Sequence, residues 1–184
     1  MLLMNLIYLI LIQNQRYYNM RKGDVVLFDK TGTIIGKAIS LVTKCKYTHA
    51  GIIYSVNSQN IIIAEALNNG FVLKKYKVKK FIKKLYNEKI ILRRSEYKLK
   101  NIQNSIEEYL GKDYSFSTIF KILWRSITKQ ELSVDKEKTV ICSEVVGYAL
   151  LNCNSYIDFS EEYNKAMDYI TPADLCHSKL LRTV

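Results

Sequence analysis

The sequence predicts an α+β fold in which an antiparallel sheet packs against helices. Short apolar and β-branched runs, separated by turn-forming residues, occupy residues 23–93, and helical patterns follow from residue 98 onwards. Strands that precede a group of helices, rather than alternating with them, are typical of α+β domains. The clearest local signal is a hairpin between Tyr47 and Glu65, where two β-branched runs flank the polar cluster Ser-Val-Asn-Ser-Gln-Asn.

The other strands are predicted from short buried runs beside turn signals. The turn at Asn68-Asn69-Gly70 precedes one of them. A short helix is predicted over residues 36–44, ahead of the hairpin. The remaining predicted strands are Val25–Phe28, one that begins at Phe71-Val72-Leu73, and Lys89–Arg93.

Apolar periodicity predicts helices in the second half of the chain. Their expected ranges are 98–110, ended by Gly111, then 116–127, then 142–152. A charged loop is expected over residues 130–138. Pro172 predicts the start of a final short helix, since proline is favoured in the first helical turn.

The length of 184 residues suits one domain with a substantial core. Residues 1–12 are nearly all apolar but too few to span a bilayer, which needs about 20 residues. Three interpretations of this run are open: a weak secretion or anchoring segment, an extra packed helix, or an extension upstream of a translation start at Met20. The strand and turn pattern that begins after Met20 favours the last. We therefore expect an apolar extension over 1–19 and a folded domain over 20–184.

The formal net charge is +11, which leaves nucleic acid, anionic lipid or an acidic polymer as classes of partner. Abundant Ile, Lys, Asn and Tyr are also typical of an AT-rich genome, and this accounts for the charge more simply. The seven lysines between Lys74 and Lys84 are interleaved with apolar residues and predict a solvated strand and helix face. We do not expect nucleic acid as a partner. Contact with a membrane surface and a cytoplasmic or membrane-associated location stay open.

Four cysteines, Cys45, Cys142, Cys153 and Cys176, are too few for a disulfide framework in a chain of this length. No CxxC pair occurs, so the spacing predicts no zinc site, no metal and no cofactor. Cys45 and Cys153 are expected to be reduced packing residues.

His49, Glu65 and Cys142 are the candidate catalytic residues. If the hairpin turns near Asn57, His49 lies opposite Glu65, and a histidine held by a carboxylate is suited to act as a base. Cys142 opens a predicted helix, whose N-terminal N–H groups favour a thiolate. A lone cysteine or histidine in such a place is more often structural, so spacing alone leaves both interpretations open.

Several short motifs, in order, resemble the circularly permuted NlpC/P60 proteins of the papain-like superfamily, in the YiiX-like branch that includes a poxvirus relative. The resemblance covers about residues 21–177. The motifs are Gly23-Asp24-Val25-Val26-Leu27-Phe28, Thr48-His49-Ala50-Gly51-Ile52, Ala64-Glu65-Ala66, Gly111-Lys112-Asp113-Tyr114, Ile141-Cys142-Ser143-Glu144-Val145-Val146 and Thr171-Pro172-Ala173-Asp174-Leu175.

The resemblance implies a permuted papain-like fold in which His49 and Glu65 precede Cys142 along the chain. It implies Cys142 as nucleophile, His49 as general base and acid, and Glu65 as the residue that orients His49. Tyr114 and Tyr47 are expected to line the substrate cleft. His177 is a rival base, although its segment is expected at the surface.

The expected function is therefore that of a thiol hydrolase that cleaves an amide in a peptide, a peptidoglycan-type fragment or a lipid. The alternatives are a lipid acyl hydrolase or acyltransferase, and a non-catalytic module of the same fold that binds an acyl chain or peptide. A basic nucleic-acid-binding protein is a third hypothesis, and strongly salt-dependent binding would distinguish it.

Overall fold

The strands and helices follow the order that the sequence predicts. The computed structural model describes residues 19–114, 128 and 139–184. Its strands are β1 (Val25–Asp29), β2 (Tyr47–Val56), β3 (Asn60–Leu67), β4 (Gly70–Lys77), β5 (Ile90–Ser95), β6 (Asp113–Tyr114), β7 (Thr139–Val140) and β8 (Leu181–Thr183). Its helices are α1 (Ile34–Thr43), α2 (Val78–Tyr86), α3 (Ile102–Glu107), α4 (Cys142–Cys153), α5 (Phe159–Tyr163) and α6 (Pro172–His177), with a 3-10 turn at Met167–Tyr169.

Six of these strands form one antiparallel sheet in the order β4-β3-β2-β1-β5-β8. β6 and β7 form a separate two-residue parallel pair. The predicted α+β class is confirmed, with β1 and β2 at the centre of the sheet.

Both faces of the sheet are covered, because side chains alternate between them along each strand. One face contributes Leu27, Ile52 and Ala64 to a cluster that also contains Val146 and Leu150 of α4. The other face contributes Val26, Phe28 and Ile63 to a cluster with Phe81 of α2. β1 and β2 are therefore buried between two apolar layers.

The helix predicted over residues 98–110 is shorter than its apolar pattern suggests, since α3 covers only Ile102–Glu107. Asn101 immediately before it adopts a left-handed conformation with φ 53°, which breaks the helix on its N-terminal side. Leu99 instead packs against Gly23, so closely that a Cβ atom added to Gly23 would lie 2.5 Å from Cδ1 of Leu99. The expectations for residues 116–127 and 130–138 fall outside the described residues, as does most of the expected extension over 1–19.

Gly70 joins β3 to β4 and lies against the segment that leads into β6. Its φ of +99° is one that glycine adopts readily, and an added Cβ would lie 2.8 Å from the carbonyl oxygen of Lys112. The Phe71 N–H donates to that same carbonyl at 2.8 Å. The predicted turn is thus confirmed, and it also fixes residues 111–113 against the sheet.

α4 and α6 match their predicted starts closely. α4 begins at Cys142 and buries Val145, Val146, Ala149 and Leu150, as its pattern predicts. α6 begins at Pro172 behind the N-cap Thr171, whose hydroxyl accepts from the Asp174 N–H while the Asp174 carboxylate accepts from the Thr171 N–H. No described helix has the length and apolarity needed to cross a bilayer.

A buried ion pair fastens the start of β1 to β5. The Arg94 guanidinium donates to both oxygens of Asp24, at 2.6 and 2.8 Å. Asp24 also accepts from the Arg21 N–H at 2.8 Å and is 1% exposed. Asp24 therefore ties down the start of β1.

We expect Asp24→Asn to lower the free energy of unfolding by about 3–5 kcal/mol, because it leaves the Arg94 charge half-buried without its partner. Urea denaturation followed by circular dichroism measures this. Glu96→Gln is the matched control, since Glu96 and Arg182 form an exposed pair at 3.4 Å on the same edge of the sheet. It should change stability by less than about 1 kcal/mol. Equal effects of the two substitutions would contradict a structural role for Asp24.

Candidate active site

The imidazole of His49 and the carboxylate of Glu65 meet on one face of the β2–β3 hairpin. His49 Nε2 lies 2.8 Å from Glu65 Oε2. The predicted register, which set the two residues directly opposite each other, is wrong by two positions. Glu65 pairs with Gly51, while His49 pairs across its other edge with Phe28. The cause is the turn, which runs over Asn57–Asn60 and is therefore centred after Asn57. An irregularity between Ile53 and Ser55 moves the pairing back by one residue and so removes part of the difference.

Gly51 explains why a diagonal pair still makes contact. A Cβ atom at this position would lie 2.7 Å from Ile63 Cγ2 and 3.3 Å from Glu65 Cβ. Because Gly51 has no side chain, the Glu65 carboxylate is free to lie across it towards His49. The even offset of two residues also keeps His49 and Glu65 on the same face of the sheet.

Glu65 is a fully buried carboxylate with several partners. It is 0% exposed, the Tyr76 hydroxyl donates to its Oε1, and Lys74 Nζ lies 3.9 Å from the same oxygen. Burial acts to raise the pKa of Glu65, but the contacts with His49, Tyr76 and Lys74 lower it below its ordinary value. The carboxylate is therefore charged and faces His49.

Cys142 is placed at the first position of α4 by contacts on both sides. The Glu144 carboxylate accepts from the Ile141 N–H at 3.2 Å. The Ser143 hydroxyl, completely buried, donates to the carbonyl oxygen of Ile170 at 2.6 Å. These bonds fix the N-terminal turn of α4 against the segment before α6. Cys142 is thereby held at 6% exposure.

The Cys142 sulfur lies beside the His49 imidazole, close enough for each group to shift the pKa of the other. Since Nε2 of His49 is occupied by Glu65, the nitrogen left for the sulfur is Nδ1. The backbone N–H groups of Ala50 and Ser143 also face the sulfur and lower the pKa of its thiol. The N–H of Ala50 points away from β1, on the edge of β2 where pairing with β3 has ended at Gly51.

This arrangement favours a thiolate beside an imidazolium. Burial alone would lower the pKa of His49, but the Cys142 sulfur and the Glu65 carboxylate together raise it from 6.5 to about 9. Burial acts to raise the pKa of Cys142, whereas His49 and the two N–H donors lower it below that of an ordinary thiol. Both shifts therefore favour the charged thiolate–imidazolium pair.

The other predicted site residues lie in different surroundings. Tyr47 is a 7% exposed core residue whose hydroxyl donates to the Glu88 carbonyl at 3.4 Å. Tyr114 pairs through its backbone with Val140, two residues before Cys142. The roles of Tyr47 and Tyr114 in substrate binding stay predictions. His177 is exposed and is grouped with Cys45 and Cys176, whereas the imidazole beside Cys142 is that of His49.

Sequence reasoning missed Tyr76 and Ala50 as parts of this site. On β4, Val72 lies opposite Glu65 of β3, and Tyr76 follows Val72 by four residues. Because side chains alternate along a strand, Tyr76 lies on the same face of the sheet as Glu65. That signal is available only once the β3–β4 register is known. Ala50 contributes through its backbone, which leaves no trace in residue type.

A separate depression of about 460 Å³ lies at the Asp24–Arg94 end of the sheet. Its lining includes Arg21, Lys98 and Arg182, and none of Cys142, His49 and Glu65. We assign the chemistry to the Cys142 site, because a nucleophile, a base and a carboxylate meet there.

The chain matches no protein-family model. It also matches no curated protein. Among solved structures, it is similar to the crystal structure of metalloprotein yiiX (DUF1105) from Escherichia coli O157:H7, with a TM-score of 0.58 and 23% sequence identity. The alignment covers 89% of this chain and 96% of the yiiX chain. The fold is therefore YiiX-like, as the ordered motifs predict.

Replacing Glu65 by Gln should lower the pKa of His49 from about 9 towards its ordinary value of 6.5, because the carboxylate charge that stabilises the imidazolium is lost. NMR titration of the imidazole signals measures this directly. The chain has two histidines, and His177→Gln assigns them. Glu107→Gln is the control, since it removes a carboxylate that contacts Tyr54 at the surface. An unchanged titration of His49 in Glu65→Gln would contradict the electrostatic account.

Proposed function

We propose that the protein is a thiol hydrolase of the circularly permuted NlpC/P60 type and cleaves an amide through a Cys142 acyl-enzyme. The observation that carries the proposal is the order of three groups, with the Cys142 sulfur beside the His49 imidazole and the Glu65 carboxylate 2.8 Å from His49 Nε2. A thiol nucleophile, a base and a residue that orients the base are the three parts that nucleophilic acyl transfer requires.

The reaction follows from this order of contacts. The Cys142 thiolate attacks the carbonyl carbon, so that a carbon–sulfur bond forms and the carbonyl π electrons move to oxygen. Collapse of the tetrahedral intermediate breaks the carbon–nitrogen bond, and the His49 imidazolium gives its proton to the leaving amine. His49 then takes a proton from water, and the water oxygen adds to the thioester carbon. The carbon–sulfur bond breaks, so that a carboxylic acid leaves and the thiolate–imidazolium pair is restored.

The N-terminal turn of α4 can stabilise the oxyanion in both steps. The N–H groups of Cys142 and Ser143 have no acceptor within the helix, because the first N–H groups of any helix lack one. They lie next to the nucleophile and at the positive end of the helix dipole. The N–H of Ala50 faces the sulfur from β2 and stabilises the thiolate before it attacks.

The motif order supports the permuted form of the papain-like site. In the family that the motifs resemble, the histidine precedes the cysteine, as His49 precedes Cys142 here. The YiiX-like fold is compatible with this assignment, since β2 carries the histidine and the helix begins with the cysteine. On this basis Glu65 is a positioning residue, because it acts through His49.

A second candidate is an acyl hydrolase or acyltransferase acting on an anionic lipid. Three lysines surround the site, with Lys74 and Lys84 over the Tyr76 ring and Lys30 over the Phe28 ring. Phe28 is itself next to His49, with ring centroids 5.4 Å apart. These charges would attract a negatively charged headgroup or surface.

The test of this function is direct trapping of the acyl-enzyme. We expect p-nitrophenyl acetate to leave one acetyl group on the Cys142 peptide after an acid quench, detected by peptide-resolved mass spectrometry. Cys142→Ala should abolish the adduct and His49→Ala should slow its formation at least about a hundredfold, the contribution typical of a general base. Cys153→Ala is the matched control, since Cys153 is a buried thiol at the other end of α4.

A panel of short amides and anionic phospholipid vesicles then separates the two candidate substrates. Turnover of amides supports the amidase, and release of fatty acid that depends on Lys74 and Lys84 supports the lipid enzyme. Acetylation of Cys45 or Cys153 with none on Cys142 would overturn the catalytic assignment and favour a binding module.

A further inference from the structure

A second group of soft donor atoms lies away from Cys142 and has no part in the proposed reaction. Cys45 lies between α1 and β2, and Cys176 and His177 are the last two residues of α6. One ligand atom from each of the three residues lies within 4.8 Å of the other two. Sequence spacing concealed this group, because the fold brings together residues separated by most of the chain.

We propose that Cys45, Cys176 and His177 form a binding site for a thiophilic divalent cation, with zinc as the expected ion. Two thiolates and a neutral imidazole balance the charge of Zn²⁺ and match its preferred sulfur and nitrogen ligands. The group contains no carboxylate, so it does not suit calcium or magnesium.

The distances are compatible with this ion. Zinc binds sulfur at about 2.3 Å and imidazole nitrogen at about 2.0–2.1 Å, so ligand atoms around a tetrahedral ion lie roughly 3.5–3.8 Å apart. The donors therefore have to close by at most about 1 Å. The exposed imidazole of His177 can supply that movement by rotation, whereas Cys45 is 7% exposed and fixed.

The backbone around the donors is held in place. The Ser178 N–H donates to the Asp174 carbonyl at 2.8 Å, and the Ser178 hydroxyl donates to Glu162 at 2.6 Å. Both bonds act immediately after His177. On the other side, Lys44 ends α1 in a left-handed conformation and directs Cys45 towards β2. Preorganised ligands of this kind reduce the cost of binding an ion.

Three protein ligands leave one coordination position for water or another donor. His177 is exposed and Cys176 is half-buried, so the fourth position opens towards solvent. The bound ion would join the segment before β2 to the segment before β8. It would thus link two distant parts of the chain on the same side of the sheet, independently of Cys142.

The test is zinc stoichiometry in the full-length, reduced protein. After incubation with Zn²⁺ and gel filtration, metal analysis should find one ion per chain. Cys45→Ser and His177→Gln should both lose it, whereas Cys153→Ser and Cys142→Ser should retain it. His177→Gln keeps the proposal testable should Cys45→Ser fail to fold, because His177 lies at the surface. Cobalt(II) should give thiolate-to-metal charge-transfer absorption that His177→Gln alters.

Three results would overturn this proposal. One is the absence of bound zinc in the reduced native protein. Another is loss of zinc in Cys142→Ser with retention in Cys45→Ser, which would place the ion at the Cys142–His49 pair. The third is a Cys45–Cys176 disulfide in the native protein, found by mass spectrometry without reduction, together with no zinc binding after reduction.

Discussion

The hydrogen bond between His49 and the buried Glu65 is the interaction on which the site depends. A carboxylate at 0% exposure is costly unless hydrogen bonds and a countercharge surround it. Tyr76 and His49 satisfy its two oxygens, and a protonated His49 supplies the charge. The same requirement that stabilises Glu65 inside the fold therefore prepares an imidazolium for Cys142.

The fold brings these groups together at the place where β2 leaves β3. From Gly51 onwards β2 pairs with β3, while the residues before it keep only β1 as a partner. The N–H of Ala50 therefore has no partner on β3. The N-terminus of α4 places the Cys142 sulfur next to this N–H. A buried backbone N–H that loses its strand partner destabilises the fold unless it finds another acceptor. At Ala50 the Cys142 sulfur faces the N–H in place of a strand partner.

Local patterns were sufficient for most of the elements, and they marked His49, Glu65 and Cys142 as candidates whose catalytic roles stay predictions. Two β-branched runs around a polar cluster predicted the hairpin, and apolar periodicity with Thr171 and Pro172 predicted the starts of α4 and α6. The register was out of reach, because residue type does not fix where the turn over Asn57–Asn60 is centred, and the irregularity after Ile53 depends on tertiary packing. Tyr76 and the Cys45–Cys176–His177 group were missed since both depend on contacts between segments that are distant in sequence.

The alkylation rate of Cys142 as a function of pH tests the central claim most directly. Limiting iodoacetamide between about pH 5 and pH 9, with peptide-resolved detection, reports the thiolate fraction of each cysteine against the ordinary thiol pKa of about 8.5. Low-pH reactivity alone is not sufficient, because the hydrogen bond from Cys176 also lowers the pKa of Cys45 to about 6. The account predicts that His49→Ala moves the Cys142 profile to higher pH and leaves that of Cys45 in place. A Cys142 profile that is the same in the native protein and in His49→Ala would contradict it.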